Sequence, residues 1–183
     1  QLAVFQGAIA GLLDVDVSFS NSAMLLGWGS TTQGWGRPGI MLYGCSPFGQ
    51  ACTELQPVMT LESEIIAVRE LPAGESVGYG GRFVTQRATR LGVVAMGYGD
   101  GYPRHAKNGT PVWVAGQRAP LVGTVSMDLI TIDITDVPYA DVGSRVELWG
   151  RNISADEVAS CAETISYTLL TGVKRVRKDW LKG

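Results

Sequence analysis

The sequence predicts a mainly β fold, a compact barrel or sandwich from residue 47 to residue 183, preceded by a short αβαβ segment over residues 1–46. Three observations carry this expectation. Short apolar runs follow one another between residues 58 and 149 with Gly and Pro turns between them. Helical periodicity is confined to the first 26 residues and to two short stretches after residue 154. With 45% hydrophobic and 17% charged residues among 183, the chain can bury one sizeable core or two modest ones.

In chain order, Leu2, Phe5, Ile9, Leu12 and Leu13 recur at helical spacing, and Val15, Val17 and Phe19 then alternate with polar residues as in a strand. The helical pattern begins at Gln1 without a cap, so the chain is expected to start inside a domain. Ser20-Asn21-Ser22 offers capping chemistry ahead of a short helix at Ala23-Met24-Leu25-Leu26. The apolar run Gly39-Ile40-Met41-Leu42-Tyr43-Gly44 predicts a strand buried on both faces of a parallel sheet. Further strands are predicted over residues 58–69, 91–96, 111–114, 120–125, 129–134 and 145–149, with turns at Pro72-Ala73-Gly74-Glu75 and Ala115-Gly116-Gln117. The clearest is 129–134, where Ile130, Ile132 and Ile134 alternate with Leu129, Thr131 and Asp133. Ser154-Ala155-Asp156-Glu157 is a capping box opening a helix through Cys161, and Ser166 is expected to cap another at Thr168.

Several function classes are disfavoured. The net charge is −2, and the basic residues are scattered apart from a tail at Lys174, Arg175, Arg177 and Lys178, so neither nucleic acid nor a membrane surface is an expected partner. No apolar run approaches the ~20 residues of a membrane-spanning helix. Three cysteines, Cys45, Cys52 and Cys161, form no CxxC pair and leave an odd thiol, which favours a reducing, cytoplasmic setting. The single histidine, His105, adjoins Arg104, and no Gly-x-Ser-x-Gly elbow is present, so a hydrolytic triad is not indicated. Metal ligation lacks the needed Cys and His spacings.

Two glycine-rich stretches, Val77-Gly78-Tyr79-Gly80-Gly81 and Gly97-Tyr98-Gly99-Asp100-Gly101-Tyr102, lie among strands rather than at the opening of a βαβ unit, and Asp100 would repel a pyrophosphate. Taken singly, each reads as a tight turn whose glycines supply positive φ. Taken with Ser20-Asn21-Ser22-Ala23, Arg37-Pro38-Gly39-Ile40, Val122-Gly123-Thr124-Val125-Ser126-Met127-Asp128 and Ile165-Ser166-Tyr167, they resemble the alanine racemase family in order and approximate spacing. The resemblance implies that residues 1–46 are the terminal portion of a (β/α)8 barrel and residues 47–183 a C-terminal β-domain. It also implies pyridoxal 5′-phosphate as cofactor, a small amino acid as substrate, and a homodimer whose active sites combine the barrel of one subunit with the β-domain of the other. The activity implied is interconversion of L- and D-alanine, for cell-wall supply or D-alanine breakdown.

The same resemblance assigns roles. Ser22, the backbone of Gly39 and Ile40, and the Tyr167 hydroxyl would hold the cofactor phosphate; a helix cap for Ser22 and a buried aromatic for Tyr167 are the structural alternatives. Arg37 would face the pyridine nitrogen, and because a guanidinium does not yield its proton the ring would be a restrained electron sink, which suits a racemase. Tyr79 would be the catalytic acid–base on one face of the α-carbon; a phenol serves there only when positive charge lowers its pKa from ~10. Tyr98 and the backbone N–H of Met127 would form the substrate wall, with a core methionine as the alternative for Met127. Many relatives have an arginine just before the triplet ending in Met-Asp, where this sequence has Thr124 and Val125, which removes one expected charge from the substrate path. The lysine that carries the cofactor lies near the family's amino terminus, and Lys107, Lys174, Lys178 and Lys182 fall in none of the matching motifs. An inactive association module that docks on a barrel half, and part of a related barrel-type decarboxylase, are the competing assignments.

Overall fold

A computed structural model describes residues 1–12, 14–29 and 34–181; Leu13 and Lys182, both named above, lie outside the described residues. The centre of the molecule is a six-stranded sheet in the order β8-β7-β10-β3-β6-β9. Its strands are β3 (Leu61–Leu71), β6 (Thr89–Val94), β7 (Pro111–Val114), β8 (Gln117–Pro120), β9 (Ile130–Asp133) and β10 (Arg145–Trp149). Every pairing is antiparallel. The long β3 makes the sheet curl: its first residues pair with β10, its later ones with β6, and a register shift lies between Ile65 and Ala67. An antiparallel bridge between Leu121, just beyond β8, and Ile132 of β9 brings the two edges of the sheet together, so it is nearly closed into a barrel.

Alternation fills the interior. Ile130 and Ile132 are buried while Thr131 and Asp133 between them are not, and Ile65, Val112, Val114 and Val146 have no exposure. Each such side chain contributes roughly 1.5–3 kcal/mol by leaving water. The β7–β8 connection is a two-residue turn with Ala115 at φ +47 and Gly116 at φ +82, the mirror-image turn whose twist matches flanking strands. Glu147, within β10, is buried and accepts from the N–H groups of Asn152 and Ile153 at 2.6 and 3.0 Å, which shapes the bend into α3 (Ala155–Cys161). Ser154 caps that helix as predicted, accepting from the N–H groups of Asp156 and Glu157.

Outside the barrel lie α1 (Leu2–Ile9), a parallel pair β1 (Ser20–Asn21) and β2 (Gly36–Arg37), α2 (Ser22–Gly27), a small hairpin β4 (Ser76–Val77) and β5 (Phe83–Val84), and α4 (Ser166–Gly172). Four local expectations are corrected. Residues 40–43 form a 3-10 turn in which only Ile40 is buried, and the parallel strand ends at Arg37. The second strand of the β7 hairpin is Gln117–Pro120, not 120–125, because Gly123 at φ +83 breaks the apolar run. Of residues 15–19, only the bridge at Ser18 precedes β1. Ser166 is the first residue of α4 rather than its cap, which is Ile165.

Candidate active site

The parallel pair brings two segments side by side at its carboxyl ends, with Asn21 opposite Arg37. Asn21 caps α2 by accepting from the Met24 N–H at 3.0 Å, so Ser22 is not the cap. Instead the buried Ser22 hydroxyl accepts from the Gly39 N–H at 2.8 Å. The next amide, that of the buried Ile40, makes no hydrogen bond among the described residues, and the buried Ser20 hydroxyl has none either. An unpaired buried donor costs about 1–3 kcal/mol. Hydroxyls and backbone N–H groups gathered at strand ends are the set that a phosphate dianion takes up.

Arg37 is exposed and held from one side, its Nη1 donating to the Ser18 carbonyl at 2.7 Å and the Ser18 hydroxyl at 2.8 Å. Among the described residues it makes no salt bridge. Tyr167 is the second residue of α4, is 45% exposed, and lines a cleft of about 280 Å³ with Ser46, Pro47, Gly49 and Ser166. The buried-aromatic alternative for Tyr167 therefore fails.

The second group of residues is built on one loop, residues 122–128. Gly78 and Gly80, both at φ +75, turn the chain so that Tyr79 stands out from the surface, 76% exposed. The Thr124 hydroxyl donates to the Tyr79 carbonyl at 2.9 Å and fixes that turn to the loop. From the other side, Tyr98 and Gly99 donate their N–H groups to the carbonyls of Ser126 and Met127 at 3.0 and 2.8 Å. Gly97 is required here, since a Cβ on it would lie 2.2 Å from the Met127 oxygen. Met127 is half-exposed, which removes the core-methionine alternative, and its N–H makes no hydrogen bond among the described residues. Tyr79 and Tyr98 are thus each tied to the loop that carries Met127, Tyr79 through the Thr124 hydroxyl and the Tyr98 turn through backbone bonds.

Tyrosines nearby differ sharply in what they can do. Tyr102 is fully buried, stacked with Trp149, and burial pushes its phenol well above the ordinary range, so it cannot exchange a proton near neutrality. Tyr98 lies under the Arg104 guanidinium, 5.7 Å from its ring centroid, so positive charge stands over its ring face.

Sequence reasoning missed three residues of this region. The sequence motifs show Thr124 only for what it replaces, Asp100 only for its charge, and Arg175 only as part of a basic tail. Asp100 accepts from the Gly97 N–H at 3.0 Å and so closes the turn that carries Tyr98. Its other oxygen meets Arg175. The spacing Gly-Tyr-Gly-Asp was the available signal, because an Asp three residues after an extended Gly is a capping arrangement.

The family profile described as "Alanine racemase, C-terminal domain" matches residues 58–180. The chain belongs to that family. It is 57% identical over 186 residues to the alanine racemase of Pseudomonas fluorescens, covering all of this chain and 52% of that protein. Among solved structures, the biosynthetic alanine racemase of Pseudomonas aeruginosa superposes with a TM-score of 0.88 at 44% identity, over 95% of this chain and 49% of that one. The alanine racemase of Bartonella henselae, crystallised with covalently bound pyridoxal phosphate, gives a TM-score of 0.85 at 35% identity, over 95% and 49%. The chain thus spans about half the length of the relatives it matches. Among the described residues no cluster of His, Cys, Asp and Glu could hold a metal, and no helix is long and apolar enough to cross a membrane.

Proposed function

We propose that this chain supplies half of an alanine racemase, residues 1–46 ending its barrel and residues 47–183 forming its β-domain, and that two subunits of a homodimer complete each site. The observation that carries the proposal is a pair of backbone donors, at Ile40 and Met127, that have no partner among the described residues, each set among residues that the family resemblance assigns to an anion. Ser22, Gly39, Ile40 and Tyr167 would hold the phosphate of pyridoxal 5′-phosphate, and Arg37, anchored by Ser18, would face its ring nitrogen. Bound there, the cofactor withdraws electrons from the α-carbon and so acidifies its hydrogen. The Met127 N–H would receive the carboxylate of alanine, with Tyr98 as a wall beside it. Tyr79 would take or return the α-proton on one face. The other face belongs to the lysine that carries the cofactor, which is assigned to the half of the family's length that this chain does not span. A two-base arrangement of this kind serves both directions, because each enantiomer presents its proton to a different group.

The test is chiral chromatography of alanine incubated with the full-length enzyme and pyridoxal phosphate. Either pure enantiomer should approach the racemate. Folded, cofactor-loaded enzyme that leaves both enantiomers unchanged, or that releases carbon dioxide from an amino acid instead, would refute the proposal.

A further inference from the structure

The chain beyond α4 does something that the resemblance does not assign. It leaves the helix at Gly172, and the Lys174 N–H donates to the Asp100 carbonyl at 2.7 Å. Gly101, at φ +103, permits this approach, since a Cβ there would lie 2.2 Å from the Gly172 oxygen. Arg175 then turns back at φ +49, a backbone conformation that costs a non-glycine residue energy and persists only where surroundings impose it. Its Nη2 lies 2.7 Å from Oδ1 of Asp128 and 3.2 Å from Oδ1 of Asp100. Gly99 makes room for it, because a Cβ at that position would lie 2.1 Å from the same nitrogen.

Each carboxylate belongs to one half of the substrate wall. Asp100 closes the turn bearing Tyr98, and Asp128 directly follows Met127. We infer that Arg175 is a positioning residue for substrate binding: it pins the Tyr98 turn to the Met127 loop and neutralises two carboxylates beside the donor meant for a third. The inference rests on the assignment of the Met127 N–H to the substrate carboxylate. Without Arg175, Asp100 and Asp128 would place two unbalanced negative charges next to an incoming anion, and the peptide preceding Asp128 would lose its side-chain anchor. Both effects oppose binding of the carboxylate more than they oppose proton transfer at the α-carbon, so the loss belongs in KM.

The experiment is steady-state racemisation by the full-length dimeric enzyme with Arg175→Ala, Arg175→Lys and the double variant Arg175→Ala with Asp128→Asn. Arg175→Ala should raise KM for alanine about tenfold while kcat stays within about threefold. Arg175→Lys, which keeps the charge on a shorter side chain that must reach the same point between the two carboxylates, should fall between. The double variant should recover part of the KM loss by removing one uncompensated charge. KM within twofold of the parent in Arg175→Ala overturns the inference, as does a fall in kcat with unchanged KM, or an Arg175→Lys variant as impaired as Arg175→Ala. Should Arg175→Ala fail to fold, the Lys variant alone decides, by an intermediate KM or an unchanged one. A parent enzyme that does not racemise alanine defeats the assignment of function, whereas an active parent with these outcomes defeats the role of Arg175 alone.

Discussion

Ser46 donates its backbone N–H to Oδ2 of Asp156 at 2.9 Å, a buried bond that spans 110 residues and ties the segment leaving the first part of the chain to the first turn of α3. Asp156 is 4% exposed, and its other oxygen has no partner among the described residues. Asp156→Ala should therefore destabilise the protein by about 1–3 kcal/mol, the cost of stranding a buried N–H, and Asp156→Asn by less, since the amide retains an acceptor. Urea unfolding measures both. Equal stability of parent and Asp156→Ala would mean that the two parts of the chain are held together by other contacts.

Glu147 gives a larger expected effect. It accepts from two backbone N–H groups and from the Asn152 side chain at 2.7 Å, all in the bend before α3. Replacing it by Leu keeps volume but leaves those donors unsatisfied, and a loss of about 2–4 kcal/mol follows from one or two stranded groups. Asn152→Ala, which removes only the side-chain bond, should cost about 1 kcal/mol. A Glu147→Leu protein as stable as the parent would show that water replaces the carboxylate there.

Cys45 carries a pH signature. Burial, then the nearby Asp156 carboxylate, pushes its thiol up to about 11 from an ordinary 9.0, against a lowering hydrogen bond with Ser166. The folded state thus holds the proton more tightly than the unfolded chain. Its stabilising contribution is fully present below pH 9 and is lost as pH rises from 9 toward 11, on the order of 2 kcal/mol in all. Other groups titrate over this range as well, so the measurement is the difference in unfolding free energy between parent and Cys45→Ala. That difference should shift against the parent between pH 9 and 11. A constant difference would place Cys45 in contact with water.

How much of this was legible depended on whether one side of a segment meets water. β7 and β10 fall where the sequence places them, and β9 within a residue at each end, because half-buried strands must alternate and a run such as Ile130 to Asp133 admits few other folds. The run from Gly39 to Gly44 has no such alternation. Apolar throughout, it suits a buried strand and a tight turn equally, and contacts distant in sequence decide between them: a Cβ on Gly44 would lie 2.1 Å from the Gln56 oxygen. α1 was legible as a helix, yet it stops at Ile9 with no residue buried, although Phe5 stacks on Phe19 at 4.6 Å. Helices draw most of their stability from packing, so the extent of this one could not be read from periodicity. Of the candidate site, single residues were visible through motifs. The ties between them were not, because a Thr124 hydroxyl on a Tyr79 carbonyl, or Arg175 on two carboxylates, depends on loops whose approach is set by the whole barrel.

Tyr79→Phe is the decisive test of the proposed chemistry, because the structure separates the hydroxyl from any stabilising duty. The phenol stands in solvent and makes no hydrogen bond among the described residues; the turn beneath it is held by the backbone carbonyl and Thr124. Removing one oxygen should leave stability within about 0.5 kcal/mol, so any loss of turnover can be read as lost chemistry. Loss of a general acid–base typically costs ~10²–10⁴-fold, and it should fall on kcat in both directions with KM little changed, since each direction needs a donor on one face and an acceptor on the other. Exchange of the α-hydrogen with deuterated solvent then distinguishes the faces. The enantiomer whose hydrogen points at the lysine should still exchange, while the one facing position 79 should not. Turnover within about threefold of the parent, or exchange slowed equally for both enantiomers, would leave Tyr79 as an exposed turn residue and shift the search for the second base to Tyr98.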